Sequence, residues 1–150
     1  MNLQKLILAL CLVVFFSLAS FAQTDKTTAN SLSAASKSVK SSPAYAELLL
    51  RKVELESEVE SLLVTYKEDY PKVKEANHEL GLIQKDLEKL LIQTDAVKLT
   101  LALGKLMVRK NELETDYWAL QTRLGDEHPD VKRAKKKILS FENAIKEILG

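Results

Sequence analysis

The feature that most constrains this chain is an internal repeat. Sliding the sequence by 58 residues without a gap places residues 48–91 on residues 106–149, and 12 of the 44 aligned pairs are identical. Self-similarity at a fixed spacing indicates two copies of one supersecondary unit, because such units cannot bury their apolar faces alone. We interpret the repeat as a duplication.

In each copy, the periodic pattern of apolar residues is interrupted and resumes in a different register at a polar segment that contains proline. Proline suits the first turn of a helix because it lacks a backbone donor, and the aspartate in each segment could cap that helix. On both sides, apolar or long residues recur at alternating steps of three and four, the spacing of a coiled-coil seam. Each copy is therefore predicted to be an antiparallel helical hairpin. The hairpin-turn motif comprises Asp69, Tyr70, Pro71, Val73, Asp126, His128, Pro129 and Val131.

The composition favours an all-α fold made of two duplicated, coiled-coil-type hairpins. The 150 residues include only 4 Gly and 3 Pro, too few turn formers for a sandwich, a barrel or a doubly wound nucleotide-binding fold. The expected helices cover residues 44–66, 71–93, 95–124 and 129–149.

The sequence leaves open how the hairpins are joined. One continuous helix over residues 71–124 would give an extended helical rod, whereas a break near Thr94 would allow a four-helix bundle. We favour the bundle because the apolar residues at 99, 101 and 103 face several directions and need to be covered. In an up-down-up-down bundle the first helix neighbours the fourth. The acidic run at 54–60 would then meet the basic run at 132–137.

The first 22 residues have the pattern of a secretory signal peptide. A positively charged start precedes an apolar run over residues 6–16, and Ser20 and Ala22 are small residues at the positions expected before cleavage. An uncleaved membrane anchor is the alternative, although spanning a bilayer takes about 20 apolar residues. The only cysteine, Cys11, lies in this leader.

The expected domain organisation follows from this leader. Residues 23–43 are rich in Ser and Thr and poor in large apolar side chains, which predicts a disordered linker. Residues 44–150 form the helical domain, with the first repeat at about 48–91 and the second at about 106–149.

The sequence offers no catalytic, cofactor-binding or metal-binding constellation. It has no glycine-rich phosphate loop and no nucleophile elbow, and His78 has no second histidine one helical turn away. His78 is expected to be solvated, His128 to pack on the end of its hairpin, and Trp118 to join an aromatic core. We therefore expect a protein that is not an enzyme and that uses no cofactor or metal.

One cluster of charge is a candidate contact. Five cations occur within six residues, at Lys132, Arg133, Lys135, Lys136 and Lys137. A solvated or internally paired surface is one interpretation, and a contact with a partner or a polyanion is the other. The formal net charge of +1 argues against nucleic acid. An acidic polysaccharide or lipid phosphate is the expected polyanion.

Residues 66–73 and 124–131, each flanked by leucine heptads, resemble a known family. This is the periplasmic coiled-coil hairpin of bacterial polysaccharide chain-length determinants, the polysaccharide co-polymerases of exopolysaccharide export. The second segment matches the acidic-His-Pro-Asp-Val turn of that family, while the first has Tyr70 in place of His and Lys72 in place of Asp.

The resemblance covers residues 48–149 without the transmembrane or kinase parts of the family. It implies an exported, non-enzymatic coiled-coil scaffold or adaptor at the bacterial cell envelope, linked to polysaccharide export. Such a protein would be periplasmic or secreted, with no stable membrane span after signal cleavage, and would bind protein partners, itself included, through its helical seams. The alternative is a periplasmic holdase-type chaperone, which needs an apolar concave surface.

Overall fold

The computed structural model describes residues 36–150, and all regular structure in this range is helical. The long helices are α1 (Pro43–Leu63), α2 (Pro71–Leu91), α3 (Leu101–Leu124) and α4 (Pro129–Leu149), and a short 3₁₀ helix covers Ala96–Lys98. The all-α prediction is confirmed for this part of the chain. The predicted signal peptide and residues 23–35 of the predicted linker lie outside the described residues.

The folded domain begins before the boundary that the sequence suggests. Residues 36–40 are helical, and Val39 is only 2% exposed and belongs to the hydrophobic core. Ser42 is buried, and its hydroxyl accepts a hydrogen bond from the Tyr45 backbone N–H. Residues 36–43, assigned to a linker by composition, are therefore part of the domain because one valine and one capping serine attach them to it.

The starts of the helices follow local rules. Thr100 caps α3 as Ser42 caps α1, with a hydroxyl that accepts the backbone N–H three residues later. Pro71 and Pro129 open α2 and α4. These starts match the sequence prediction within two residues, except that α3 begins six residues later than expected.

The capping residues before the prolines differ from the expected aspartates. Tyr70 is the N-cap of α2 and provides no side-chain hydrogen bond. His128 is the N-cap of α4, and its Nδ1 accepts the backbone N–H of Asp130 at 3.2 Å. Asp126 instead accepts a hydrogen bond from Gln121. Proline geometry, rather than aspartate capping, therefore fixes these two helix starts.

α2 and α3 are separate helices. α2 ends at Leu91, and the 3₁₀ helix lies between α2 and α3. A single helix over residues 71–124 is therefore excluded. Leu99 and Leu103 are almost fully buried, whereas Leu101 is 47% exposed. The break thus lets two of the three clustered leucines reach the core.

The helices pack around α3. α1 packs against α2 and α3, α2 also packs against α3, and α4 packs along α3. Lys110 of α3 contacts Asp86 of α2. Trp118, further along α3, contacts His78, which lies earlier in α2. These two helices are therefore antiparallel. The core includes Leu48, Leu55, Ile83, Leu90, Leu103 and Met107.

The predicted contact between α1 and α4 is wrong. α1 lies against α3 because Gly104 has no side chain: a Cβ atom there would lie 2.8 Å from Glu47 Cβ and 2.9 Å from Ala44 Cα. The Ala44 backbone N–H also donates to the Leu99 carbonyl. α1 and α3 therefore start side by side, and the acidic run at 54–60 does not meet the basic run at 132–137 within the chain.

The predicted seams are buried over much of both helix pairs. Among the expected seam residues Leu55, Leu113 and Ile138 are buried. Leu62, Leu120 and Phe141 are half-buried. Val73 and Val131, the seam residues that follow the two proline connectors, are buried as well, so burial does not fall evenly toward the connectors.

Candidate partner-binding site

The five clustered cations divide between two sides of α4. Lys132, Lys135 and Lys136 line a cleft of about 630 Å³. Arg133 and Lys137 line a different, smaller cavity of about 240 Å³. This division follows from helical geometry, since Arg133 and Lys137 are four residues apart on one face, and Lys132 shares another face with Lys135 and Lys136, three and four residues further on. The sequence cluster is thus two separate basic surfaces.

The larger space, which we call the α3–α4 cleft, combines apolar and charged walls. Its apolar surface comes from Tyr117 on α3 and from Ile138 and Leu139 on α4. The three lysines stand along one side, and Glu114 and Glu142 line the same cleft. Leu139 is 54% exposed, although it lies within a concavity. The cleft therefore presents lipophilic and cationic surface together.

Most of these cations are available for an outside partner. Lys132 Nζ lies 2.6 Å from Glu127 Oε2, and Arg133 pairs with Asp130 one turn away. Within residues 36–150, no ion pair within 4 Å involves Lys135, Lys136 or Lys137. All five side chains are exposed. The paired interpretation thus accounts for two cations only.

A charged network adjoins the cleft. Asp86 on α2 is only 1% exposed and binds two ammonium groups, Lys110 Nζ at 3.1 Å and Lys89 Nζ at 2.9 Å. Lys110 also lies 3.6 Å from Glu114. Burial raises the pKa of Glu114, with Lys110 acting in the opposite direction. The network ties α2 to α3 and places a partly desolvated carboxyl in the wall of the cleft.

A second cavity of about 540 Å³ lies beside the first and shares Glu114 and Glu142 with it. Met107, Ile145 and Leu149 add apolar surface there. The two spaces adjoin at these two carboxylates, and α2 also contributes to the wall of the second.

Two polar side chains of α3 are buried without a hydrogen-bond partner among the described residues. They are Asn111, which is fully buried, and Thr115. Thr115 lines a polar cavity between α1, α2 and α3 that also contains the Arg51 and Glu79 pair. Arg51 Nε donates to Glu79 Oε1 at 2.7 Å, which stabilises the α1–α2 contact.

The hairpin-turn motif is structural in this chain. Val73 and Val131 are buried one turn inside α2 and α4. Tyr66 and Tyr70 stack with ring centroids 4.0 Å apart across the first connector. Asp69 is exposed and lines a small cavity beside Trp118. The motif residues therefore shape and cap helix ends, and they do not line the α3–α4 cleft.

Sequence reasoning missed the partner of His78. The imidazole is half-buried rather than solvated and stacks on Trp118, with ring centroids 4.7 Å apart. Burial lowers the pKa of His78, and Lys85 adds to this effect. Only the tertiary pairing of α2 with α3 brings these rings together, so no local sequence signal could have revealed the contact.

Among residues 36–150, no group of three or more His, Cys, Asp or Glu side chains could hold a metal ion. In the same range, no helix is both long enough and apolar enough to cross a membrane.

Comparison with known proteins found no matching family model, no similar curated protein and no similar solved structure. The function is therefore inferred from the chain itself.

Proposed function

We propose that the protein is an exported, non-enzymatic helical scaffold or adaptor at the bacterial cell envelope, linked to polysaccharide export. The observation that carries the proposal is the α3–α4 cleft. Its three lysines, all on α4, stand beside an apolar floor that includes a half-buried tyrosine. Such a surface suits recognition, because apolar area supplies affinity and placed charges supply specificity.

The partner of this cleft is an acidic polysaccharide. Lys132, Lys135 and Lys136 occupy one face at spacings of three and four residues, so they can meet carboxylates that repeat along an extended polymer. Tyr117 supplies an aromatic surface for sugar rings between those charges. Lipid phosphate is the other anion that the same lysines would bind.

A duplication of coiled-coil hairpins underlies this scaffold. The shift of 58 residues that aligns the sequence copies carries the bounds of α2 onto those of α4, and the start of α1 onto the start of α3. It also places the capping residue Ser42 on Thr100 and Tyr70 on His128. Equivalent helix starts and caps support descent of the two halves from one ancestral unit.

The proposal is tested by reversing charges in the cleft. The double variant Lys132→Glu and Lys135→Glu should bind a polyuronate about tenfold more weakly, which corresponds to about 1.4 kcal/mol. Calorimetric titration at low salt measures this affinity, and anionic phospholipid vesicles form a parallel arm. Lys67→Glu with Lys74→Glu is the matched control, because both residues are exposed and lie outside the cleft.

The same variants should be placed in cells that lack the gene. We expect the cleft variant to lower the amount or chain length of surface polysaccharide, while the control variant restores both. Equal polysaccharide with both variants, together with unchanged polyuronate affinity, would overturn the proposal. Binding to vesicles but not to polyuronate would assign the cleft to lipid phosphate instead.

A holdase is the second candidate, because the cleft is concave and its floor is apolar. Leu139→Glu would place a charge on that floor. If the native protein suppresses light scattering by a reduced, unfolding client and Leu139→Glu does not, the holdase role is favoured. Failure of the native protein to suppress aggregation would reject it.

A further inference from the structure

α1 carries an apolar stripe that nothing in the described chain covers. Leu49, Leu50 and Val53 are 43%, 57% and 54% exposed. Ala46 and Ser57 are also exposed and continue the same face, since the five positions follow the helical spacing of three and four. We call Ala46, Leu49, Leu50, Val53 and Ser57 the α1 stripe. Its pattern is that of a helix seated in a groove.

The equivalent positions of the second copy are mostly buried. The 58-residue shift carries the α1 stripe onto Gly104, Met107, Val108, Asn111 and Thr115. All of these are buried except Val108, which is half-buried. This face of α3 packs against α1 and α2, as the approach of Gly104 to Ala44 and the cavity shared by Thr115 and Glu79 show. The second repeat has therefore buried its equivalent of the α1 stripe against the first repeat, whereas the α1 stripe itself stays exposed.

A groove that could receive the α1 stripe lies between α3 and α4. Within the chain, α3 packs on a surface formed by α1 and α2. The 58-residue shift carries the residues of that surface onto α3 and α4, on the side of α4 away from the α3–α4 cleft. There the smaller cavity is lined by Leu113, Leu120, Arg133 and Lys137, with Asp116, Asp130 and Ala134. We call this cavity the Arg133 groove.

We propose that α1 of one copy docks in the Arg133 groove of a second copy, repeating between chains the packing of α3 on α1 and α2 within a chain. The inference rests on the duplication proposed above. In repeat architectures the terminal units need polar outer faces to stay soluble alone. Here one terminal face is the apolar α1 stripe, so a second copy is its natural cover.

Charge favours this pairing at two places. Within the chain, Thr115 and Asp116 share a cavity with Glu75 and Glu79. The residues equivalent under the 58-residue shift are Ser57 and Glu58 of one copy and Arg133 and Lys137 of the other, which would lie side by side in the proposed interface. At these four positions the interface between copies sets one acidic side chain against two cations. Within the chain, three carboxylates occupy the equivalent positions, in a cavity that also holds Arg51, Lys72 and Arg109.

The second place is the aromatic stack. Under the 58-residue shift, Trp118 is equivalent to Glu60 and His78 to Lys136. The stack of Trp118 on His78 within the chain therefore corresponds to Glu60 of one copy beside Lys136 of the other. A neutral stack in the chain is thus replaced by an ion pair between chains. The opposite charges of the two runs, which do not meet within one molecule, meet across this interface.

The assembly is head-to-tail. Each copy presents one α1 stripe and one Arg133 groove, which are different surfaces, so the interface is heterologous. Such contacts close into a ring when the rotation allows it and otherwise extend as a filament. Of the residues that line the α3–α4 cleft, only Lys136 takes part in this interface, so Lys132 and Lys135 remain available in either form.

Sedimentation velocity of the exported protein at rising concentration tests the proposal. The native protein should shift to larger species, whereas Glu58→Lys with Glu60→Lys, and separately Arg133→Glu with Lys137→Glu, should sediment as monomers. An equimolar mixture of the two double variants should assemble again, because each then offers the charge that the other needs. Circular dichroism confirms that each variant is folded.

Lys132→Glu with Lys135→Glu is the matched control, with the same charge change on the opposite side of α4, and it should assemble normally. A native protein that stays monomeric, or variants that assemble like the native chain, would overturn the proposal. If the control variant also fails to assemble, the interface involves the α3–α4 cleft, and the proposed docking of α1 in the Arg133 groove is rejected. Loss of self-association leaves polyuronate binding by the cleft unaffected, so the two proposals fail separately.

A cysteine cross-link gives an independent readout, since the chain has no cysteine after the leader. Glu60→Cys on one copy and Lys136→Cys on another should form a disulfide-linked dimer when mixed. With both cysteines in one dilute chain, a disulfide within the monomer would contradict the separation of α1 from α4. Absence of the mixed dimer under oxidation would overturn the proposed register.

Discussion

At the scale of single residues, the most informative side chain is Glu114. Its pKa is raised mainly by burial, so the native state favours the protonated carboxyl. The resulting stability is present at low pH and is lost as the pH rises through the pKa of the folded state. Ionised Glu114 therefore weakens the fold at neutral pH, even though Lys110 lies 3.6 Å away.

Glu114→Gln should remove this penalty. We expect the variant to melt at a higher temperature than the native protein at pH 7, and the difference to disappear at about pH 4, where the carboxyl is protonated. Thermal unfolding at both pH values measures the effect. Glu147→Gln, at an exposed position, controls for the loss of one charge. A lower melting temperature at pH 7 would show that the pair with Lys110 dominates instead.

Residue-level inference from the sequence succeeded for many seam residues and failed for contacts between helix pairs. Leu55, Leu113 and Ile138 are buried as their periodicity predicts, because each faces the neighbour that the connector brings close. His78 was expected in solvent and instead stacks on Trp118. That contact depends on the packing of α2 against α3, which periodicity along one helix does not encode.

At the scale of helices, the close contact of α1 with α3 rests on Gly104. Gly104→Ala would place a methyl group within 2.9 Å of Ala44 Cα, so the helices must separate. We expect a loss of about 1–3 kcal/mol, the usual cost of overpacking. Denaturant unfolding measures the change.

Gly81→Ala is the matched control. It lies in α2 with nothing within 4 Å of the added Cβ. Alanine should stabilise this helix by about 0.5–1 kcal/mol relative to glycine. If both alanine variants gain stability equally, the close contact at Gly104 does not limit the packing of α1 on α3.

The helix bounds were predictable, whereas the arrangement of helices was only partly so. Pro71 and Pro129 mark two starts directly, and the repeat indicates that the halves resemble each other. The neighbour of α1 was predicted wrongly because the choice between α3 and α4 depends on the space left by one glycine. Of the candidate cleft, the sequence showed only the run of cations. The apolar floor could not be predicted because it combines residues of two helices.

At the scale of the whole molecule, the proposed export predicts a processed chain. Cleavage after Ala22 should leave a protein that begins at Gln23 and lacks Cys11. Mass spectrometry of the protein recovered from the periplasm or medium measures its start. A full-length mass in a membrane fraction would support the uncleaved anchor instead.

The connectors between the helices also bear on how the chain folds. Neighbouring helices are separated by nine residues or fewer, so the α1–α2, α2–α3 and α3–α4 contacts close short loops and form quickly. The parallel contact of α1 with α3 joins residues about 60 positions apart and carries the largest entropy of closure. We expect it to form last, after the transition state. Gly104→Ala would then accelerate unfolding in stopped-flow experiments while leaving the folding rate almost unchanged. A slower folding rate would instead place the α1–α3 contact in the folding nucleus.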